Sequence, residues 1–453
     1  MAQEVWNQQM ETLSRDELES LRLEKLRRQL KYCYRNSLFY RKKFTEVGAR
    51  PEDIKTWEDF RRLPVFMTKE VERESQRESR ERIGHPFGMH LCVPRERIIA
   101  IGTTAGTTGL PTVSYAFTPR DLKRWNEAMA RMCYLAGLRP KDRIINCFPM
   151  SGGYAGALMA DSFRYMGVTA FNLGIEPGVE RVLQLARLFN PNALTTSPSF
   201  AELIVENCKR VIGVEAREIG IKTLIFGGEP GIGLPAIRSK VEEAFNARWH
   251  DYLGGNAEGF CASCDAKEYQ GMHEVAPDLS ISVEDLVDPV TKKPVEVKDG
   301  AIGEAVVTSL DREGSPYVKY AAGDVFQVFT KPCPCGYPGP GYRKRIMGSV
   351  EDMLIVNNTV VFPLAVKESV SSFYPRVTGA MRIVLTQKPP RISPPLKIKV
   401  EYGAGVEGQL DNLRDEIERK LKDKFNIPLE IQFLPPQTLE RVAFKTPILE
   451  KAY

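Results

Sequence analysis

The sequence contains no uninterrupted apolar run of about 18 residues, so nothing in it reads as a membrane-spanning helix. Its opening, MAQEVWNQQMETLSRDELES, alternates apolar with charged residues and lacks the apolar stretch of a secretory signal, from which a cytoplasmic location is expected. A strong charge of one sign is missing too. The 63 Lys and Arg against 58 Asp and Glu leave +5 over 453 residues, too little for a dedicated nucleic-acid binder. Internal repeats and low-complexity tracts are absent. Histidine is scarce at 4 residues, whereas cysteine, at 9, is not. In a reducing compartment, clustered thiols read first as metal ligands. With 43% hydrophobic residues the chain can build a large core, and its length suggests about three units of roughly 150 residues each.

Near the N-terminus, Leu18, Leu21, Leu23, Leu26, Leu30 and Tyr34 recur at helical spacing, and residues 1–92 read as a helical lead-in. The run from Lys69 to Arg82 is dense in both charge signs and reads as a solvated helix face laced with i,i+4 pairs. From Arg97 to about Leu310, short β-like runs alternate with helical stretches such as Leu122–Gly137 and Ala236–Arg248, which predicts βαβ units and a mainly parallel sheet. A β-rich part follows, broken by the Pro/Gly/Cys-dense loop Lys331–Gly341. Beyond Arg345, MLIVNNTVVFP predicts a hairpin about Asn357–Asn358, and Leu410–Phe425 a helix. The expected fold is therefore α/β. A large N-terminal domain of several subdomains spans 1–347, with metal-binding loops within 260–340. A small α+β domain spans 352–453, and the hinge lies near 348–352.

The most informative stretch is IIAIGTTAGTTGLPT, Ile98 to Thr112. A β-branched strand enters a loop where Gly102, Gly106 and Gly109 permit positive φ, while Thr103, Thr104, Thr107 and Thr108 add hydroxyl donors to exposed N–H groups. That combination suits phosphate oxygens, although the Gly-Lys-Ser/Thr ending of a Walker loop is missing. The segment resembles the phosphate-binding signature of the adenylate-forming superfamily, which includes acyl-CoA synthetases, adenylation domains and luciferases. Thr112 is a feature of its phenylacetate-CoA ligase branch. Further stretches match in order. FGGEP, Phe226 to Pro230, is similar to the adenine-contacting turn, and GGNAE, Gly254 to Glu258, to the acidic motif. YAAGD, Tyr320 to Asp324, is similar to the ribose-binding signature, RIMGSVEDMLIVNNTVVFP to the hinge and hairpin, and RVAFK, ending at Lys445, to the C-terminal lysine loop.

The resemblance implies an ATP-dependent acid–CoA ligase. A carboxylate attacks the α-phosphorus of ATP to give an acyl-adenylate and pyrophosphate, and CoA then displaces AMP. It further implies that Thr103, Thr104, Gly106, Thr107, Thr108 and Gly109 hold phosphates, and that Glu258 binds Mg2+. Gly228, Glu229, Pro230, Tyr252, Asn256 and Ala257 would meet the nucleotide. Asp324 would hold the ribose, with Arg345 standing in for the arginine that is here Ser349. Lys445 would act at the α-phosphate, and the small domain would turn as a lid about a hinge at Glu351. Glu258, Thr108 and Lys445 are the expected catalytic residues. The family's stacking aromatic falls at Gly254, leaving Tyr252 as the nearest ring, and Phe444 replaces the glycine before Lys445. The acid pocket would be lined by Phe148, Tyr154, Ala155, Gly228 and Gly255, whose two rings and small residues suggest an aromatic acid.

Cys261 and Cys264 form C-x-x-C, His273 follows, and Cys333 with Cys335 forms C-x-C in the Pro/Gly loop. Soft thiolates with one imidazole suit a structural tetrahedral zinc, which needs four of the five. Cys264, His273, Cys333 and Cys335 are the favoured set, with Cys261 the spare. The expected small-molecule partners are thus a carboxylic acid, ATP and coenzyme A, with no nucleic acid or membrane, and a homodimer is common among related ligases. Two other classes stay open at this point: an adenylating enzyme that passes its acyl group to an amine or protein thiol, and a zinc-organised interaction protein on a degenerate scaffold, suggested by Ala257 and Ser349.

Overall fold

The computed structural model describes residues 4–104, 112–151, 154–229, 235–254, 259–442 and 446–453. The N-terminal helices form as the leucine spacing predicts. Ser14 caps Arg15–Asn36 through a capping box with Glu17, Leu18 is buried, and Leu26, Leu30 and Cys33 pack with Tyr40, Phe44 and Phe60.

Five strands, in the order Thr169–Asn172, Arg143–Asn146, Ala193–Thr196, Thr223–Phe226 and Arg248–Gly254, run parallel and are linked by helices. Helices Pro119–Leu135 and Tyr154–Met166 cover one face, and Gly178–Phe189, Pro198–Ile212 and Pro235–Phe245 the other, giving two separate apolar cores. All five strands point their carboxyl ends to one edge, the place where open α/β sheets bind ligands.

The expectation of a mainly parallel sheet holds only for this half. Phe260–Ser263 turns back antiparallel on Arg248–Gly254, and Met272–Glu274, Arg343–Ser349, Tyr320–Phe329 and Ile302–Ser309 continue antiparallel across the same 14-stranded sheet. Among the described residues, consecutive strands there are joined by connections that carry no helix, which suits antiparallel pairing, while Met67–Thr68 from the N-terminal part pairs parallel with Tyr320 and Ala321. The strand entering the threonine-rich loop is not in this sheet at all. Ala100–Thr104 pairs with Thr112–Phe117 as an isolated antiparallel hairpin closed by Thr104 opposite Thr112.

From Leu354 onward, two further sheets and helices Pro363–Ser371 and Leu410–Phe425 enclose a core of their own. The predicted hairpin is present, with Asn357 and Asn358 at φ 48° and 62°, the left-handed pair that a two-residue turn requires. The last strand, Leu449–Lys451, lies parallel beside Val377–Leu385. Among the described residues no helix is long and apolar enough to cross a membrane.

Candidate active site

The adenine-turn motif lies on the carboxyl edge of the parallel strands. Phe226 ends its strand, and the Gly227 N–H donates to the Thr196 carbonyl at 3.2 Å. A Cβ at Gly227 would lie 2.8 Å from the Tyr252 ring and 2.8 Å from its carbonyl, so only glycine fits, and Gly228 takes φ +86°. Glu229 then accepts two bonds from Ser199, N–H at 2.7 Å and Oγ at 2.8 Å, which fastens the turn to the start of helix Pro198–Ile212. That Glu229 is a structural tie was not visible in the sequence, because its partner is thirty residues away.

Tyr252 and Phe148 behave differently from the expectation of open stacking and pocket walls. Phe148 is fully buried, Tyr252 is 8% exposed, and their rings meet edge-on at 5.4 Å beneath Gly227. They form a floor under the turn, and the Tyr252 ring is committed to the core.

Asp324 stands half-buried on Tyr320–Phe329, directly opposite Ser349 of the neighbouring strand. Arg345, four residues back on that strand, carries an ion pair to Glu368 of the C-terminal domain. Glu351 lies in the short turn Val350–Asp352, within 3.6 Å of Arg73. Thr103 pairs with Val113 in the hairpin. Gly106, Thr107, Thr108, Gly109, Pro230, Gly255, Asn256, Ala257, Glu258 and Lys445 lie outside the described residues, as do the side chains of Thr104, Tyr154 and Ala155.

One element that sequence reasoning assigned to solvent proves central. Lys69–Ile83 is a helix, capped by Thr68, but Glu72, Ser75, Gln76 and Ser79 face inward. Gln76 bonds both backbone groups of Val113, Nε2 to the carbonyl at 2.7 Å and Oε1 from the N–H at 3.1 Å, so it pins the hairpin that carries the threonine loop. Glu72 accepts from the Tyr317 and Tyr320 hydroxyls, each at 2.7 Å, and burial pushes its carboxyl up. A Cβ at Gly323 would sit 3.6 Å from Lys69 Nζ. One helix therefore ties the threonine hairpin to the Tyr320–Asp324 motif. The signal was a polar stripe at i, i+3, i+4 and i+7, which a search for apolar periodicity passes over.

Beneath the same edge lies Asp251, 3% exposed. Burial pushes its carboxyl up to about 7, against the opposing pull of the Tyr269 hydrogen bond and the Arg238 and Arg345 charges. The folded state therefore binds this proton more tightly than the unfolded chain. Its contribution is fully present below the ordinary aspartate range and is lost as the pH rises through about 7. Asp251→Asn removes that dependence. The melting temperature of the variant should gain on wild type by a few degrees between pH 5 and pH 8, corresponding to on the order of 2–4 kcal/mol. Parallel melting curves across that range would contradict the assignment.

The Cys/His set converges as expected. Cys264, His273, Cys333 and Cys335 bring their ligand atoms within 4.8 Å of one another. Cys264 Sγ is 3.7 Å from Cys333 Sγ, and Cys335 Sγ is 3.5 Å from His273 Nε2. A tetrahedral zinc with bonds of about 2.3 Å to sulfur and about 2.0 Å to nitrogen requires edges of about 3.8 and 3.5 Å, so the donors fit that ion. The Tyr337 N–H donates to Cys335 Sγ at 3.3 Å, the kind of outer contact that orients a thiolate ligand. Cys261 is not in the group. It is fully buried, its thiol pushed up to about 12 by burial, and it lies instead beside Lys344.

Comparison with known proteins identifies the family. The family described as AMP-binding enzyme C-terminal domain matches residues 358–449. The phenylacetate-coenzyme A ligase of Thermus thermophilus is 30% identical, over 95% of this chain and 96% of its own. The crystal structure of 2-hydroxyisobutyryl-CoA ligase in the postadenylation state with 2-HIB-AMP superposes with a TM-score of 0.84, at 27% identity over 97% of this chain and 91% of that one. The same ligase with 2-HIB-AMP and CoA in the thioesterification state gives a TM-score of 0.69 at 27% identity, over 99% and 92% of the two chains. Similarity of this extent to acid–CoA ligases, in sequence and in fold, decides for an enzyme over a non-catalytic scaffold. The chain belongs to the phenylacetate-CoA ligase family of AMP-forming acid–CoA ligases.

Proposed function

We propose that this ligase activates an aryl or arylacetic acid. The observation that carries the assignment of its nucleotide site is the single helix Lys69–Ile83, which holds the threonine hairpin through Gln76 and the Tyr320–Asp324 strand through Glu72. An anionic nucleophile approaching a polyanion needs neutralisation and in-line placement above all. Thr103, Thr104, Thr107 and Thr108 with Gly106 and Gly109 hold the phosphates, Asp324 supplies two acceptor oxygens to the ribose diol, and Lys445 adds a cation at the α-phosphate. Mg2+ held at Glu258 supplies further neutralisation of the phosphate charge. A flat ring would fit above the Phe148–Tyr252 floor beside Gly228, and the same reading assigns Tyr154, Ala155 and Gly255 to the pocket.

Zinc at Cys264, His273, Cys333 and Cys335 is structural in this reading. Four protein donors close the tetrahedron and leave no open position for substrate. The enzyme works in the cytoplasm, where these thiols stay reduced, and as a homodimer like related ligases.

The test is a panel of acids with ATP, Mg2+ and CoA, following AMP release and identifying the thioester by mass spectrometry. Phenylacetate, benzoate and indoleacetate should include a substrate at least about tenfold better in kcat/KM than 2-hydroxyisobutyrate. Preference for the short hydroxy acid would sink the aryl assignment.

A further inference from the structure

We infer that Glu206 and Arg441 form a latch that holds the C-terminal domain in the orientation used for acyl-adenylate formation, and that both are positioning residues for that half-reaction alone. The inference rests on the ligase reading above and adds residues to which that reading assigned no role.

Arg441 stands four positions before Lys445. On its own domain it is anchored to Glu401, with Nη2 at 3.3 Å from Oε1. Glu401 is fully buried and is itself fixed by the Thr378 hydroxyl at 2.9 Å and the Leu439 N–H at 3.0 Å. With one side of the guanidinium held there, the other nitrogen, Nη1, reaches out of the domain to the Glu206 carboxylate, on helix Pro198–Ile212 of the parallel half. That helix is the one whose first turn is tied to Glu229 of the adenine-turn motif. The ion pair thus joins the segment leading into the lysine loop to an element built into the nucleotide edge. On the far side of the loop, Thr446 Oγ1 bonds the Val442 N–H and carbonyl, both at 3.3 Å, and draws the two ends of the loop together. A guanidinium cannot shed its charge, its side chain is 15% exposed, and a fork fixed at one end loses little further entropy at the other.

The state in which this pair exists can be identified. The same 2-hydroxyisobutyryl-CoA ligase matches the present structure with a TM-score of 0.84 in its postadenylation form and 0.69 in its thioesterification form. The orientation of the two domains here is thus nearer the former. A contact between helix Pro198–Ile212 and the segment before Lys445 is made only while the domains keep that orientation. A further ion pair across the boundary, Arg345 with Glu368, starts from a strand that runs directly into the hinge and has less leverage on the lysine loop. An interaction present in one of two domain orientations shifts the population between them by its own free energy and no more. Removing it should penalise only the half-reaction that needs the latched form.

The experiment uses the full chain, wild type, Glu206→Gln and Glu206→Arg. Glu206 is a third exposed and lies on a helix surface, so neither change disturbs folding. Two rates are measured with the best acid of the panel: acid-dependent ATP–pyrophosphate exchange, and CoA-dependent release of AMP from the chemically prepared acyl-adenylate. Exchange should fall about threefold in Glu206→Gln and about tenfold in Glu206→Arg, where like charges meet, while AMP release stays within about twofold of wild type. The wild-type exchange rate should fall with added salt, and that of Glu206→Gln should not. A parallel fall in both half-reactions, or unchanged exchange in Glu206→Arg, would overturn the latch. A wild type that shows no exchange with any acid would instead overturn the ligase reading on which it rests.

Discussion

Replacing Lys445 by alanine should lower acid-dependent ATP–pyrophosphate exchange by about 10²–10³-fold, while CoA-dependent release of AMP from preformed acyl-adenylate stays within about twofold of wild type. The expectation follows from where charge develops in the two steps. When the carboxylate attacks the α-phosphorus, negative charge accumulates on oxygens that already belong to a polyanion, and a flexible ammonium contributes most at that moment. In the second step a thiolate attacks a carbonyl and AMP leaves, so no new negative charge builds on the phosphates that the lysine is proposed to face. The described flanks of the loop are well anchored, Val442 to Thr446 on one side and Leu449–Lys451 on the edge of the Val377–Leu385 strand on the other. An alanine variant therefore loses the cation and little else. Measuring both half-reactions on the same preparation checks this, and intact exchange would show that the assignment of Lys445 is wrong.

Loss of the metal centre should be the largest effect on stability. Gently purified protein should hold about one zinc per chain. Cys264→Ser or Cys333→Ser should lose it and unfold several degrees lower, corresponding to on the order of 4 kcal/mol or more. Cys264 is buried just past the end of strand Phe260–Ser263 and His273 is buried on the adjacent strand Met272–Glu274, whereas Cys333 and Cys335 sit in a segment, residues 331–342, with no strand or helix of its own. Without the ion, that loop loses its tie to Cys264 and His273 and is left with contacts such as Tyr337 to Glu11 and Arg343 to the Lys331 carbonyl. Cys261→Ser is the informative control. Its thiol is fully buried but lies outside the donor group, so zinc content should be unchanged. Protein without zinc, or a Cys261 variant that loses it, would contradict the site.

Much of this was legible in the chain. The leucine-spaced helix Arg15–Asn36, the Asn357–Asn358 turn and the Leu410–Phe425 helix depend on residues within one or two turns of each other, and all three form where local rules place them. The donor set was legible for a different reason, because thiolates and imidazole in short spacings have few other uses in a reducing compartment. The helix Lys69–Ile83 shows the limit. Its position was readable, but not that its polar stripe clamps two motifs, since Gln76 meets Val113 and Glu72 meets Tyr317 and Tyr320 across long stretches of chain. The same holds for the direction of the Tyr252 ring and for the buried Asp251.

By itself, then, the order of residues determined the elements, the chemistry each motif can perform and the family to which the chain belongs. These rest on backbone preferences and side-chain donors that act within a few positions of one another. Only the tertiary structure decided which of five ligands stays out of the metal group, which aromatic rings serve as floor, and which acidic residue reaches across the domain boundary to Arg441. Those outcomes depend on burial and on contacts between distant segments, and such energies do not exist until the chain has folded.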